Sequence, residues 1–198
     1  MNTRIAWVDT AKGIGIILIV LGHSVHTVER AIIFAFHVPL FFFLSGYLFT
    51  KALDKNFFHF VSTRIRGILI PYFSFSIFSY AFWFFIGNNV PEWKHAAFWK
   101  PLLGILYSVP GEWMIHNNPL WFLTCFFIVE LYSYILFTLF RNSRHILILF
   151  LIPIGFLSKY LPFRLPWSAD IAVTALAFFT IGSVYRTKYD EKLSILRR

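Results

Sequence analysis

Cysteine, methionine and acidic residues are scarce in this 198-residue chain, which holds one Cys, two Met and nine Asp and Glu. A single thiol, Cys125, cannot close a disulfide within the chain, so a secreted disulfide scaffold is excluded. Charged residues make up 14%, against about 25% in an average soluble domain, and a soluble fold of this size could not hide the apolar remainder. The histidines fall in separate segments, which leaves no metal-ligating constellation. No nucleic-acid motif is present. No internal repeat and no Gly/Ser linker divides the chain, which reads as one domain over 1–198.

What is abundant is apolar and aromatic. Hydrophobic residues reach 58%, Phe, Tyr and Trp number 26, 9 and 7, and the mean hydropathy is +0.67. The apolar residues lie in blocks rather than alternating, which favours bilayer-crossing helices over a polar-lumen barrel. A helix needs roughly 20 residues to cross a hydrocarbon layer. Six stretches approach that length: Thr10–Val28, Ala31–Thr50, Gly67–Gly87, Pro119–Phe140, Ile146–Leu161 and Ile171–Tyr185. The expected fold is an all-α polytopic transmembrane bundle, with membrane lipids as its surroundings.

The formal charge of +9 raises the question of where the 18 Lys and Arg lie. Thirteen fall before the first span, between the second and third, after the fourth and after the sixth; five (Arg30, Lys94, Lys100, Lys159, Arg164) fall on the other side. Cytoplasmic retention of basic loops then puts both termini inside. A second use of the basic residues, holding an anionic cytosolic ligand, is compatible with this. Arg4, Lys12 and the run Gly13–Leu21 resemble a secretory signal, but Asp9 interrupts the charged region and Ser24–Ala31 offers no small-residue cleavage site, so the helix is expected to stay.

Ionisable groups inside spans are costly and mark functional candidates. In the first helix Lys12 and His23 are eleven residues apart, three turns plus 20°, so they share a face about 16 Å apart along the axis. Asp9 and His26 lie near that face. The alternative reading is a snorkelling lysine and a histidine bonded to a neighbouring helix. The second span carries His37 before Pro39, with Ser45-Gly46 offering a small surface for close packing. Lys51–Arg66 mixes Phe57, Phe58, Phe60 and Val61 with basic residues and reads as an amphipathic segment on the membrane surface. Arg64 and Arg66 suit phosphate recognition, although positive-inside anchoring explains them as well. Glu130, mid-span, is expected to orient a histidine or to hold up the bundle. The outer segment Asn88–Asn118 contributes Glu112, Trp113, His116, Asn117 and Asn118, a set able to hold a sugar or to serve as ordinary loop chemistry.

These residues resemble the acyltransferase-3 integral membrane acyltransferases, and within them the fucose 4-O-acetylase-like branch. The matching pieces are Trp7-Val8-Asp9-Thr10-Ala11-Lys12-Gly13 leading to Gly22-His23, and Phe36-His37-Val38-Pro39-Leu40 through Leu44-Ser45-Gly46-Tyr47. Arg64, Pro71-Tyr72, Leu120-Trp121-Phe122-Leu123, Leu165-Pro166-Trp167, Asp170 and Gly182 follow in the same order. Lys12 stands where the family more often has arginine, and a lysine cannot make a planar bidentate fork. The resemblance implies acyl transfer, usually of acetyl from cytosolic acetyl-CoA, to a hydroxyl of a sugar or cell-surface precursor at a bacterial inner membrane. By that reading Lys12, Arg64 and Arg66 hold the donor's phosphates, and His23 is the general base or transient acyl carrier. Glu130 or Asp9 fixes its tautomer, and His37 polarises a carbonyl or steers the acceptor. Asp9, Ser45, Trp121 and Glu112 are the acceptor-side candidates. No metal is implied. Family members usually have about ten spans, so six imply a chain lacking the last ones, with self-association one way to complete the bundle. The alternatives are an inactive or regulatory membrane module and a transporter of a lipid-linked sugar.

Overall fold

The computed structural model describes residues 5–24, 28–87 and 97–196. Among the described residues every regular element is helical. Seven helices follow in order: α1 (Ala6–Ser24), α2 (Val28–Leu48), α3 (Phe57–Phe85), α4 (Trp99–Tyr107), α5 (Trp121–Leu139), α6 (Arg144–Ser158) and α7 (Ala169–Leu196). Five are long and apolar enough to cross a membrane, namely α1, α2, α3, α5 and α7. The expected fifth span is α6, an apolar helix of 15 residues.

Two expectations shift. Helix α1 spans Ala6–Ser24 rather than Thr10–Val28, and its end at Ser24 puts His23 in the last turn instead of the interior. The expected surface segment Lys51–Arg66 is not separate from the third span, since Phe57–Phe85 is one helix of 29 residues. Asn56 starts it, its side-chain oxygen accepting the Phe58 amide at 3.0 Å. A wide π turn at Ile65–Leu69 carries the helix up to Pro71, which has no amide to offer the preceding turn.

The packing pairs antiparallel helices. Val8, Gly15 and Gly22 bring α1 against α2, Gly15 facing Leu40 and Phe41, and Gly22 facing Ile33 and Phe34. Helix α3 runs against α5 through Phe60 stacked on Tyr134 at 4.6 Å and Arg64 beside Glu130. Helix α6 runs against α7, where Ser158 and Thr174 hydroxyls both donate to the Gly155 carbonyl and Arg144 reaches Ser183. The ends converge on a core of Phe49, Phe137 and Phe179. There α2 and α7 cross with backbones touching, because Gly46 meets the Phe179 carbonyl and Gly182 meets that of Phe43.

At the opposite end, three left-handed residues shape the join between α4 and α7: Ser108 (φ 51°), Trp167 (φ 58°) and Ser168 (φ 52°). Side-chain bonds hold them there. Trp167 Nε1 donates to the Leu106 carbonyl at 2.8 Å, Ser168 Oγ donates to the Ser108 carbonyl at 3.1 Å, and the Ser108 and Thr124 hydroxyls lie 2.7 Å apart. The Arg164–Asp170 ion pair, 2.7 Å, closes the same layer.

Candidate active site

A cavity of about 400 Å³ opens between α1, α2 and the start of α5. Its walls are largely aromatic, with Phe34, Phe41, Trp121 and Phe122, and its polar groups are His23, His37 and Asn118. That combination of apolar wall and few convergent polar groups is what small-molecule sites are made of.

The two imidazoles share a local design. His23 Nδ1 lies 2.8 Å from the Ile19 carbonyl and His37 Nδ1 lies 2.7 Å from the Ile33 carbonyl, each one helical turn back. A carbonyl only accepts, so each Nδ1 carries the hydrogen and each neutral ring keeps its lone pair on Nε2. Phe34 sits between them, its ring centroid 5.2 Å from that of His23 and 5.0 Å from that of His37. Of the two, His37 is the deeply placed histidine, 4% exposed. His23, expected to be buried, is exposed in the last turn of α1, which ends at Ser24.

The remaining candidates are distributed over the bundle. Trp121 lines the cavity. Lys12 does not line it, but Lys12 lies within 20° of both Ile19 and His23 around α1, and Ile19 and His23 are cavity wall. Asp9 is exposed about 21 Å from His23 along the axis, so the Ile19 carbonyl, not Asp9, fixes the tautomer. Glu130 is likewise not beside a histidine. Its Oε2 lies 2.7 Å from Arg64 Nε, an ion pair between α3 and α5, with the Arg64 guanidinium carbon 5.2 Å from the Phe60 ring centroid. That pairing occupies Arg64. Lys12 and the exposed Arg66 are in no ion pair among the described residues and are open to an anion. Ser45 is half-buried next to the Gly46 crossing, away from the cavity. Glu112 opens a short turn, Glu112–Met114, and its side chain lies outside the described residues, as does all of His26.

Sequence reading missed Phe34 and Phe41, which no polarity signal marks. It named Asn118 among the outer-segment residues able to hold a sugar or to serve as loop chemistry; here its Oδ1 accepts the Gly111 amide at 3.0 Å, which fixes the cavity rim. His116 stays apart from this cavity. Its ring meets Tyr80 at 6.3 Å, both ring nitrogens are buried without a hydrogen-bond partner, and burial pulls its pKa from 6.5 to about 4.

Membrane-length helices enclosing an aromatic chamber with two basic imidazoles define a multi-pass membrane protein with a site suited to proton abstraction and group transfer. The chain belongs to the acyltransferase-3 family, whose model, described as an acyltransferase domain, matches residues 5–197. No curated protein and no solved structure matches the chain.

Proposed function

We propose that this chain is a membrane O-acyltransferase of the fucose 4-O-acetylase-like kind, moving an acetyl group from acetyl-CoA to a hydroxyl of a cell-surface sugar at the bacterial inner membrane. The single observation that carries this reading is the pair of imidazoles on one cavity, each with Nδ1 committed to a carbonyl. In this reaction the His23 Nε2 takes the proton of the acceptor hydroxyl as its oxygen attacks the thioester carbonyl. The acyl–oxygen bond forms, the acyl–sulfur bond breaks, and the thiolate leaves and is protonated by the imidazolium. His37 Nε2 orients the acceptor, and Trp121 with Phe122 gives the sugar ring an apolar floor. Lys12 and Arg66 attract the donor's phosphates, while Arg64 stays with Glu130.

Purified protein in nanodiscs, given labelled acetyl-CoA and a bacterial glycan acceptor, tests this. A general base contributes typically about 10²–10⁴-fold, so H23A should lower transfer by that factor. Undiminished transfer by H23A would remove the central role. Mass spectrometry of the glycan should show one added acetyl unit.

A further inference from the structure

A second cavity, about 320 Å³, lies at the other end of the bundle, between the turn joining α5 to α6 and the far part of α7. Arg141, Arg144, His145, Thr187 and Lys188 line it, with Asn142 and Val184. Among the described residues of this lining none is acidic, and three are permanently cationic.

Arg144 is held in place. One Nη donates to Ser183 Oγ at 3.2 Å, and the guanidinium carbon sits 5.0 Å from the Phe137 ring centroid. Its Nε is buried and has no hydrogen-bond partner. Arg141 and Arg144 share this lining, so the fold holds two cations together against their repulsion. The start of the 15-residue helix α6 lies here too, and the Ser143 side chain does not cap it. The Ile146 amide turns back to the Ser143 carbonyl at 2.9 Å, and the positive end of the helix dipole lies beside Arg144. A rigid guanidinium fork, flanking cations and the positive end of a helix together match the oxygens of a tetrahedral anion.

We propose that this cavity is a phosphate-binding site, taking the phosphate of an anionic lipid headgroup or of a soluble phosphate ester. It is separate from the histidine cavity, because Trp121 and Leu139 mark opposite ends of α5, about 27 Å apart. Phosphate binding here neither requires nor implies acyl transfer.

Two binding measurements on the full chain distinguish the sources. In one, protein from nanodiscs doped with phosphatidylglycerol is examined by native mass spectrometry for retained lipid. In the other, inorganic pyrophosphate is titrated into protein in phosphatidylcholine nanodiscs. The variant R141Q/K188Q changes two exposed side chains and leaves the anchored Arg144 in place, so it should fold; R144Q is the second variant. Each should lose about tenfold in binding in at least one measurement, as expected for removal of charge-assisted contacts. Loss confined to retained lipid assigns a headgroup; loss confined to pyrophosphate assigns a soluble ester. K159Q removes an exposed cation at the far end of α6 and should bind as the wild type does, and because neither measurement reads acyl transfer, a failed acyl-transfer assay would not touch this result. The proposal falls if R141Q/K188Q binds as well as the wild type in both measurements, or if K159Q loses as much.

Discussion

His23 and His37 have their tautomer set by their own helices, since the carbonyl one turn back selects it without help from a carboxylate. The imidazoles themselves were legible in the sequence, as ionisable groups where lipid should be. The tautomer was not, because a backbone acceptor leaves no mark in residue identity. The same holds for Arg64 and Glu130, whose partnership joins residues 66 apart in the chain. Removing one member should expose its worth. With the Glu130 side chain 5% exposed, R64Q strands a buried carboxylate at a cost of about 3–5 kcal/mol, while R64Q/E130Q should recover most of it; denaturation in detergent measures both. His116 carries a pH signature. Folded, it binds its proton only below about pH 4, against 6.5 ordinarily, so between those values the unfolded chain holds more protons. Stability contributed by neutral His116 is therefore complete above pH 6.5 and declines toward pH 4. Melting temperatures across that window should fall more steeply for the wild type than for H116Q.

Sequence reading ended the last span at Tyr185, short of the end of α7, and began the third at Gly67, ten residues inside α3. Its first turns carry His59 and Arg64, which read as a surface segment because an unpaired arginine does not enter a span. Glu130 resolves that conflict by pairing with Arg64 from α5, and the helix continues unbroken. Glycines set the other contacts. A β-carbon at Gly46 would lie 1.8 Å from the Phe179 carbonyl oxygen, so G46A must push α2 off α7. The expected loss is about 1–3 kcal/mol or more by thermal unfolding. G13A is the contrast, since nothing lies within 4 Å of its β-carbon, and it should gain roughly 0.5–1 kcal/mol from helix propensity. The sequence marked Ser45-Gly46 as a packing surface; which helix it meets depended on a residue 133 positions away.

For the molecule as a whole, the all-helical class and most span positions were legible from apolar blocks, whereas the status of α6 was not. Its 15 residues look short by composition alone. Its contacts tell more, because it runs beside α7 from the neighbourhood of Asp170 to Ser183, about 20 Å of rise. If α6 crosses the layer as its partner does, six passes put both chain ends on one side of the membrane. Reporter fusions at the two ends should therefore report the same compartment, the one that retains the basic loops. Opposite compartments would mean that α6 does not cross. One contact has a wider reach. The rings of Phe41 and Phe34, two walls of the histidine chamber, rest against Gly15 and Gly22, with Phe41 only 2.9 Å and Phe34 3.4 Å from where a β-carbon would stand. A methyl group at Gly15 would displace the Phe41 ring, whereas at Gly22 it would meet Ile33 first, at 3.0 Å, so the bare backbone at Gly15 acts as the gauge that sets where this wall of the chamber stands and how large a guest it admits.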